Sequence, residues 1–242
     1  CGRKSVIPSI YLKKNTSKKI INIHIQDPKV NLTNFNYIIA PEHDGLFGKN
    51  VFSTKGAIHY LTKKEIDKNT DYLKNRLKIG KEYFLLILGG PTKHYDYSDE
   101  NILKILDLFN NLVIKNNLQG IVIPSMRTPK NIIELTKDRL SENSLIIDSV
   151  DKKAYLSALS LAKYISVTCD STSMISEAAL TGKPIYIADI PAKKNDRRIK
   201  KFRELFNELN ITKKLDNKLE TWHYEILDET SRIAKEIKKQ LT

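Results

Sequence analysis

Short runs of consecutive apolar residues alternate along this chain with stretches whose apolar positions recur three and four apart. The first pattern suits strands buried on both faces, the second amphipathic helices. Near the start, residues 6–14 predict a helix and 20–25 a strand. That strand stops at Gln26-Asp27-Pro28, because proline lacks a ladder donor. Residues 35–40 predict a second strand, closed by Pro41-Glu42-His43-Asp44-Gly45, and 51–54 a third, weaker one. The stretch 62–81 is polar and lysine-rich, with Thr62 and Glu65 spaced as a capping box and Gly80 at its end. It predicts a linker helix.

Beyond it the pattern sharpens. Residues 83–88 are continuously apolar, a central strand broken by Gly89-Gly90-Pro91-Thr92. Ser98 and Asp99 offer caps for a helix to about Asn117, whose Ile102, Leu106, Phe109 and Val113 share one face. Strands are predicted over 120–124, 145–148, 164–168 and 184–188, with helices over 131–140, 155–162 and within 170–181. Such alternation predicts an α/β fold built on a doubly wound parallel sheet with right-handed crossovers. Ligands of such sheets sit beyond the carboxyl ends of the strands. The chain then divides into a first domain over 1–61, the linker over 62–81, a second domain over 82–225 and a terminal helix over 226–242.

Composition narrows the class. With 242 residues, 40% of them hydrophobic, the chain can bury a core, which excludes disorder. Two cysteines, Cys1 and Cys169, cannot build a disulfide framework or a four-thiolate zinc site, and a reduced, cytoplasmic compartment follows. No apolar run approaches the ~20 residues of a membrane span. The net charge of +13 favours anionic partners: phosphorylated substrates, an acidic membrane surface touched peripherally from its inner face, or nucleic acid. It equally suits lysines scattered over solvated faces. No compact basic stripe with interleaved aromatics is read, which disfavours nucleic acid. Cys1-Gly2 has the form of a processed lipoprotein start; a cut inside a longer protein is the preferred reading.

Three strand ends carry candidate chemistry. The segment Asp170-Ser171-Thr172-Ser173 opens a helix with consecutive hydroxyls, and free amides at a helix start suit a phosphate or diphosphate. Ser176 and Glu177 follow. Glu177 projects to the edge of the apolar stripe, where a carboxylate can accept two hydrogen bonds from a ribose diol; an ordinary capped helix with a dipole-stabilised Glu is the alternative. Gly89 and Gly90 let backbone amides approach an anion, with Thr92 beside them, although no Walker or GxGxxG loop is present. Ser125 and Arg127 close the next strand, and Arg127 suits a bidentate bridge to phosphate oxygens. His43 with Asp44 is a candidate general base, and His24 lies near another strand end. No hydrolase elbow, HExxH or Asp-x-Asp metal pair occurs, so no metal site or other cofactor is expected.

In order along the chain, Gly2-Arg3-Lys4, His24-Ile25-Gln26-Asp27-Pro28, Pro41-Glu42-His43-Asp44, Gly89-Gly90-Pro91, Ser125-Met126-Arg127-Thr128-Pro129, the segment 170–184 and Leu219-Glu220-Thr221-Trp222 resemble the signatures of the mitochondrial-fission family. Bacterial members of that family are treated as GT-B glycosyltransferases, and the serine-rich turn with Glu177 is similar to the nucleotide-sugar site of MurG-type enzymes. The resemblance implies a GT-B-like fold of two Rossmann-like domains, the first incomplete here by about a quarter of the family's length. It places the nucleoside-diphosphate-sugar donor in the second domain and a saccharide or lipid-linked acceptor on the first. It implies metal-independent transfer, with helix-start amides and basic side chains neutralising the leaving diphosphate. Plant relatives recruit a dynamin-related protein, so a non-catalytic adaptor of the same fold is the alternative.

Overall fold

The computed structural model describes residues 2–241; Cys1, and Thr242 at the end of the expected terminal helix, lie outside the described residues. The described chain forms two compact units, one of residues 1–60 with 228–242 and one of 61–227.

The first unit starts with α1 (Val6–Lys14), followed by β1 (Ile23–Ile25), β2 (Tyr37–Pro41) and β3 (Val51–Thr54), a parallel sheet in that order. Strand β1 is shorter than expected. The Asn22 and Asn36 side chains each accept the other's backbone N–H, at 2.9 and 3.1 Å, and this pairing sets the start of the ladder. Ile20 and Ile21 stay exposed before it. Alternation along β2 sends Ile38 and Ala40 to a cluster with Val6 and Phe35, and Ile39 to one with Ile233 and Ile237. His24 is buried against Phe35, ring centroids 4.9 Å apart, and burial lowers its pKa.

The second unit begins with α2 (Lys63–Lys68), whose N-cap Thr62 accepts from the Glu65 N–H as its spacing predicts. The expected helix over 62–81 does not continue. After Asn69 the chain tightens into 3₁₀ turns over Thr70–Arg76, because Ser157 holds that backbone: its hydroxyl donates to Thr70 O and accepts from the Leu73 N–H. The segment thus packs as part of the second unit. Then come β4 (Tyr83–Leu88), α3 (Asp99–Lys115), β5 (Gln119–Pro124), α4 (Lys130–Leu140), β6 (Ser144–Ile146), α5 (Lys152–Leu161), β7 (Tyr164–Thr168), α6 (Thr172–Ala179) and β8 (Ile185–Ala188). Two further elements, α7 (Arg197–Glu208) and the edge strand β9 (Thr212–Lys214), were not expected from the sequence. Helix α8 (Glu229–Leu241) belongs to the first unit, where Arg232 donates to Ser53 O and the buried Glu229 accepts the Lys55 N–H.

The six strands of this unit are all parallel, in the order β6-β5-β4-β7-β8-β9. Every residue of β5, β7 and β8 is buried, which requires cover on both faces of the sheet. The chain runs outward from β4 to β6 and resumes at β7 on the other side of β4. The topological switch point therefore lies between β4 and β7, where such sheets open a crevice at the carboxyl edge. Phe84 of β4 meets Phe109 of α3 at 4.6 Å between centroids in the middle of the core.

Phe109 is fully buried, and Phe109→Ala is expected to cost about 3–5 kcal/mol in urea unfolding. Cys169 is buried too, and burial pushes its thiol up to about 12. Since the thiolate is the nucleophile, peptide mapping after iodoacetamide at mildly alkaline pH should find Cys169 unmodified in native protein and modified in denaturant.

Candidate functional site

At the switch point, the ends of β4, β5 and β7 converge on one carboxylate. Asp170 follows β7, and its side chain is fully shielded from solvent. Its Oδ1 accepts from the Thr168 hydroxyl at 2.7 Å. Its Oδ2 accepts from the Gly90 N–H at 3.1 Å and from Arg127 Nη2 at 2.8 Å. Thr168 in turn accepts the Gly89 N–H at 2.8 Å. A carboxylate with three donors, one cationic, is the arrangement that tolerates burial of a charge.

Glycine is required at both loop positions after β4. A Cβ at Gly89 would overlap the Asp170 carboxylate, and one at Gly90 would overlap the backbone carbonyl of Arg127. Arg127 also donates from Nη1 to Gly90 O at 3.0 Å. Ser125 and Thr128 finish the junction: both hydroxyls donate to Gly89 O, at 3.0 and 2.5 Å, and Thr128 accepts the Ser125 N–H. The amides of Gly89 and Gly90 and the hydroxyl of Ser125 are thus engaged inside the protein. Their work here is to fix the loops.

Arg127 differs. Its side chain is 42% exposed, and the two hydrogen bonds described leave three of its five N–H groups for another acceptor. Tyr97 is a site residue the sequence did not signal. It is buried, its hydroxyl has no hydrogen-bond partner among the described residues, and burial first, then the Asp170 carboxylate, raises its pKa while Arg127 opposes.

Helix α6 opens beside this junction. Ser171 is its N-cap, accepting the Met174 N–H at 3.4 Å. The amides of Thr172 and Ser173, first in the helix, have no acceptor within it. Thr172 is half-buried and Ser173 exposed, whereas Ser176 turns its hydroxyl back to Thr172 O at 2.8 Å. Glu177 stands half-buried at the stripe's edge and accepts from the Tyr155 hydroxyl of α5 at 2.7 Å. Thr92 accepts the His94 N–H within the β4 loop.

His43 and Asp44 belong to the first unit, in a 3₁₀ turn after β2. His43 Nε2 is 3.7 Å from Asp44 Oδ1, with side chains 2% and 8% exposed. The imidazole is thus shielded from solvent within the first unit. No group of three or more His, Cys, Asp or Glu side chains able to hold a metal occurs among the described residues.

Two parallel-sheet α/β units, the larger with a topological switch point at the carboxyl edge of its sheet, give a GT-B-like fold. The chain belongs to the family described as Mitochondrial fission ELM1, which matches residues 1–241. Among its relatives, an uncharacterized protein, RP120, of Rickettsia prowazekii is 27% identical, covering 98% of this chain and 77% of that one. Mitochondrial fission protein ELM1 of Arabidopsis thaliana is 22% identical, covering 100% of this chain and 62% of that one. The chain thus spans less than two thirds of the plant protein. Among solved structures, the UDP-GlcNAc 2-epimerase of Neisseria meningitidis bound to UDP-GlcNAc aligns with a TM-score of 0.53 at 16% identity, covering 97% of this chain and 72% of its own. The epimerase of Methanocaldococcus jannaschii aligns with a TM-score of 0.53 at 18% identity, covering 97% and 74%.

The donors converging on Asp170 make a stability test. Asp170→Ala strands the Gly90 N–H and the Thr168 hydroxyl together with Arg127, and should cost about 2–3 kcal/mol. Arg127→Met leaves the carboxylate two donors, and should cost about 1 kcal/mol because the guanidinium is partly solvated. Equal losses in urea unfolding would show instead that the ion pair alone holds the junction.

Proposed function

We propose that the second unit binds a nucleoside-diphosphate sugar at the carboxyl edge of its sheet, and that the whole protein transfers the sugar to a saccharide or lipid-linked acceptor. The observation that carries this reading is the opening of α6 at the switch point, with the Thr172 and Ser173 amides uncommitted and Arg127 held nearby with three N–H groups to spare. A diphosphate suits that field: helix-start amides supply directed donors, and the guanidinium supplies a charge whose position Asp170 already fixes. The Tyr97 hydroxyl, unsatisfied by the protein, is a further donor within the same charged neighbourhood. Glu177 is the residue we assign to the ribose diol, with the Tyr155 hydroxyl, which donates to its Oε2, orienting the carboxylate. When the sugar–phosphate bond breaks, the same donors stabilise charge developing on the leaving diphosphate. No residue is assigned as the base that accepts the acceptor's proton.

A second reading has its own support. The Gly89 and Gly90 amides, which a phosphate-cradling loop would present, are engaged by Thr168 and Asp170. A non-catalytic adaptor that keeps the fold to present a protein-binding surface fits that closure. Calorimetry with UDP, GDP and CMP separates the two, saturable binding supporting the first and its absence from folded protein leaving the second.

Glu177 gives the sharper test. Glu177→Ala loses the Tyr155 hydrogen bond and should lower stability by about 1 kcal/mol, leaving the fold intact. Nucleotide affinity should fall by about 1.5–3 kcal/mol, the worth of a charge-assisted bond, and Glu177→Gln should restore part of it. If the alanine variant unfolds the unit while the original protein binds no nucleotide, the donor site is not there.

A further inference from the structure

Between Lys193 and Glu204 the chain carries seven cations against two carboxylates, a surplus of five out of the chain's thirteen. The sequence reading of scattered lysines overlooked this cluster, because it lies across the end of a loop and the start of an unexpected helix. Lys193, Lys194, Arg197, Arg198, Lys200 and Lys201 are all exposed. Among the described residues, Lys194, Arg197 and Lys201 meet no acidic side chain; Arg197 and Lys201 stand four apart on one face of α7, and Lys194 lies in the loop before it. The two carboxylates are occupied: Asp196 accepts from Tyr95 and Arg203, and Glu204 faces Lys200 at 3.9 Å.

The patch is braced. The loop after β8 is tied to the loop after β4 by the Tyr95–Ala192 bridge, by the Asp96 N–H on Pro191 O at 2.8 Å and by the Lys193 N–H on His94 O at 2.9 Å. Those loops lie at the carboxyl edge of the sheet, the edge that carries the proposed donor site. Met126, in the loop after β5 at the same edge, is 88% exposed.

We infer that this basic edge, from Lys193 through Lys201, with the exposed Met126 at the same edge of the sheet, docks on an anionic phospholipid surface. The rings of α7, Phe202 and Phe206, are fully buried and meet at a tilt with centroids 4.2 Å apart, so neither stands between the cations for bases to stack upon. Cations without exposed rings, with an exposed apolar side chain on the same sheet edge, match a charged interface with an apolar interior below it. The transferase reading supplies the purpose, a lipid-linked acceptor brought to the donor edge; the chemistry of the patch stands without it.

Sedimentation with vesicles tests the surface. The full chain should bind phosphatidylcholine vesicles containing phosphatidylserine and not phosphatidylcholine alone, with binding lost as salt rises. Replacing Lys194, Arg197 and Lys201 together by Ala should weaken partitioning about a hundredfold, near fivefold per cation. The unfolding midpoint and the heat of UDP binding should not change in that variant, so a failed nucleotide site and a failed membrane surface give different results. Met126→Ser should weaken partitioning further, an effect no nucleic acid would report. Equal vesicle binding by the triple variant, no binding by the original protein, or tighter binding to an oligonucleotide than to vesicles at the same ionic strength would each overturn the inference.

Discussion

One buried carboxylate holds the working edge of the larger unit together. Asp170 takes its donors from three places: the last residue of β7, the backbone after β4 and the guanidinium after β5. Backbone pairing runs only one residue past β5 and β7, through the Ser125 N–H on Leu88 O and the Cys169 N–H on Ala188 O, and side chains order the loops beyond. A charge at that depth with no donor at all would be prohibitive, and the Gly90 N–H and Thr168 hydroxyl share with Arg127 the work of keeping it there. The local sequence follows from it. Two glycines are needed because the carboxylate and the Arg127 carbonyl occupy the space of a side chain, and hydroxyls at Ser125 and Thr128 absorb the carbonyl left at Gly89.

The first unit solves a similar problem with less material. A three-stranded sheet buries its middle strand between α1 and α8, and α8 comes from the far end of the sequence. Glu229 and Arg232 fasten that helix to β3 through backbone groups of Lys55 and Ser53. The unit is thus closed by residues that composition at its own end of the chain does not reveal.

The strands of the larger unit were legible because residues 83–88 and 164–168 are apolar without interruption, which only a doubly covered sheet allows. The helix start at Ser171 was legible from its hydroxyls. Helix α7 was not, although Ile199, Phe202 and Phe206 keep helical spacing, because the surrounding lysines and arginines read as solvated loop. Strand β9 has no apolar pattern and exists through its pairing with β8. The 3₁₀ turns after α2 depend on Ser157, which lies more than eighty residues on. Asp170 was seen as one more polar residue of a turn, and Tyr97 and Tyr155 were not seen as site residues at all. Their partners meet only when β4, β5 and β7 are laid side by side.

The close approach of Gly90 to the Arg127 carbonyl has a consequence for inheritance. The tripeptides after β4 and β5 are separated by more than thirty residues in the chain, yet the second occupies the volume that a side chain at position 90 would need. A side chain at position 90 cannot be accommodated by adjusting its own loop; the neighbouring strand's exit must be rerouted with it. Descent should therefore transmit the two segments as a single unit, changing together or not at all, even in a lineage where the ligand has been lost.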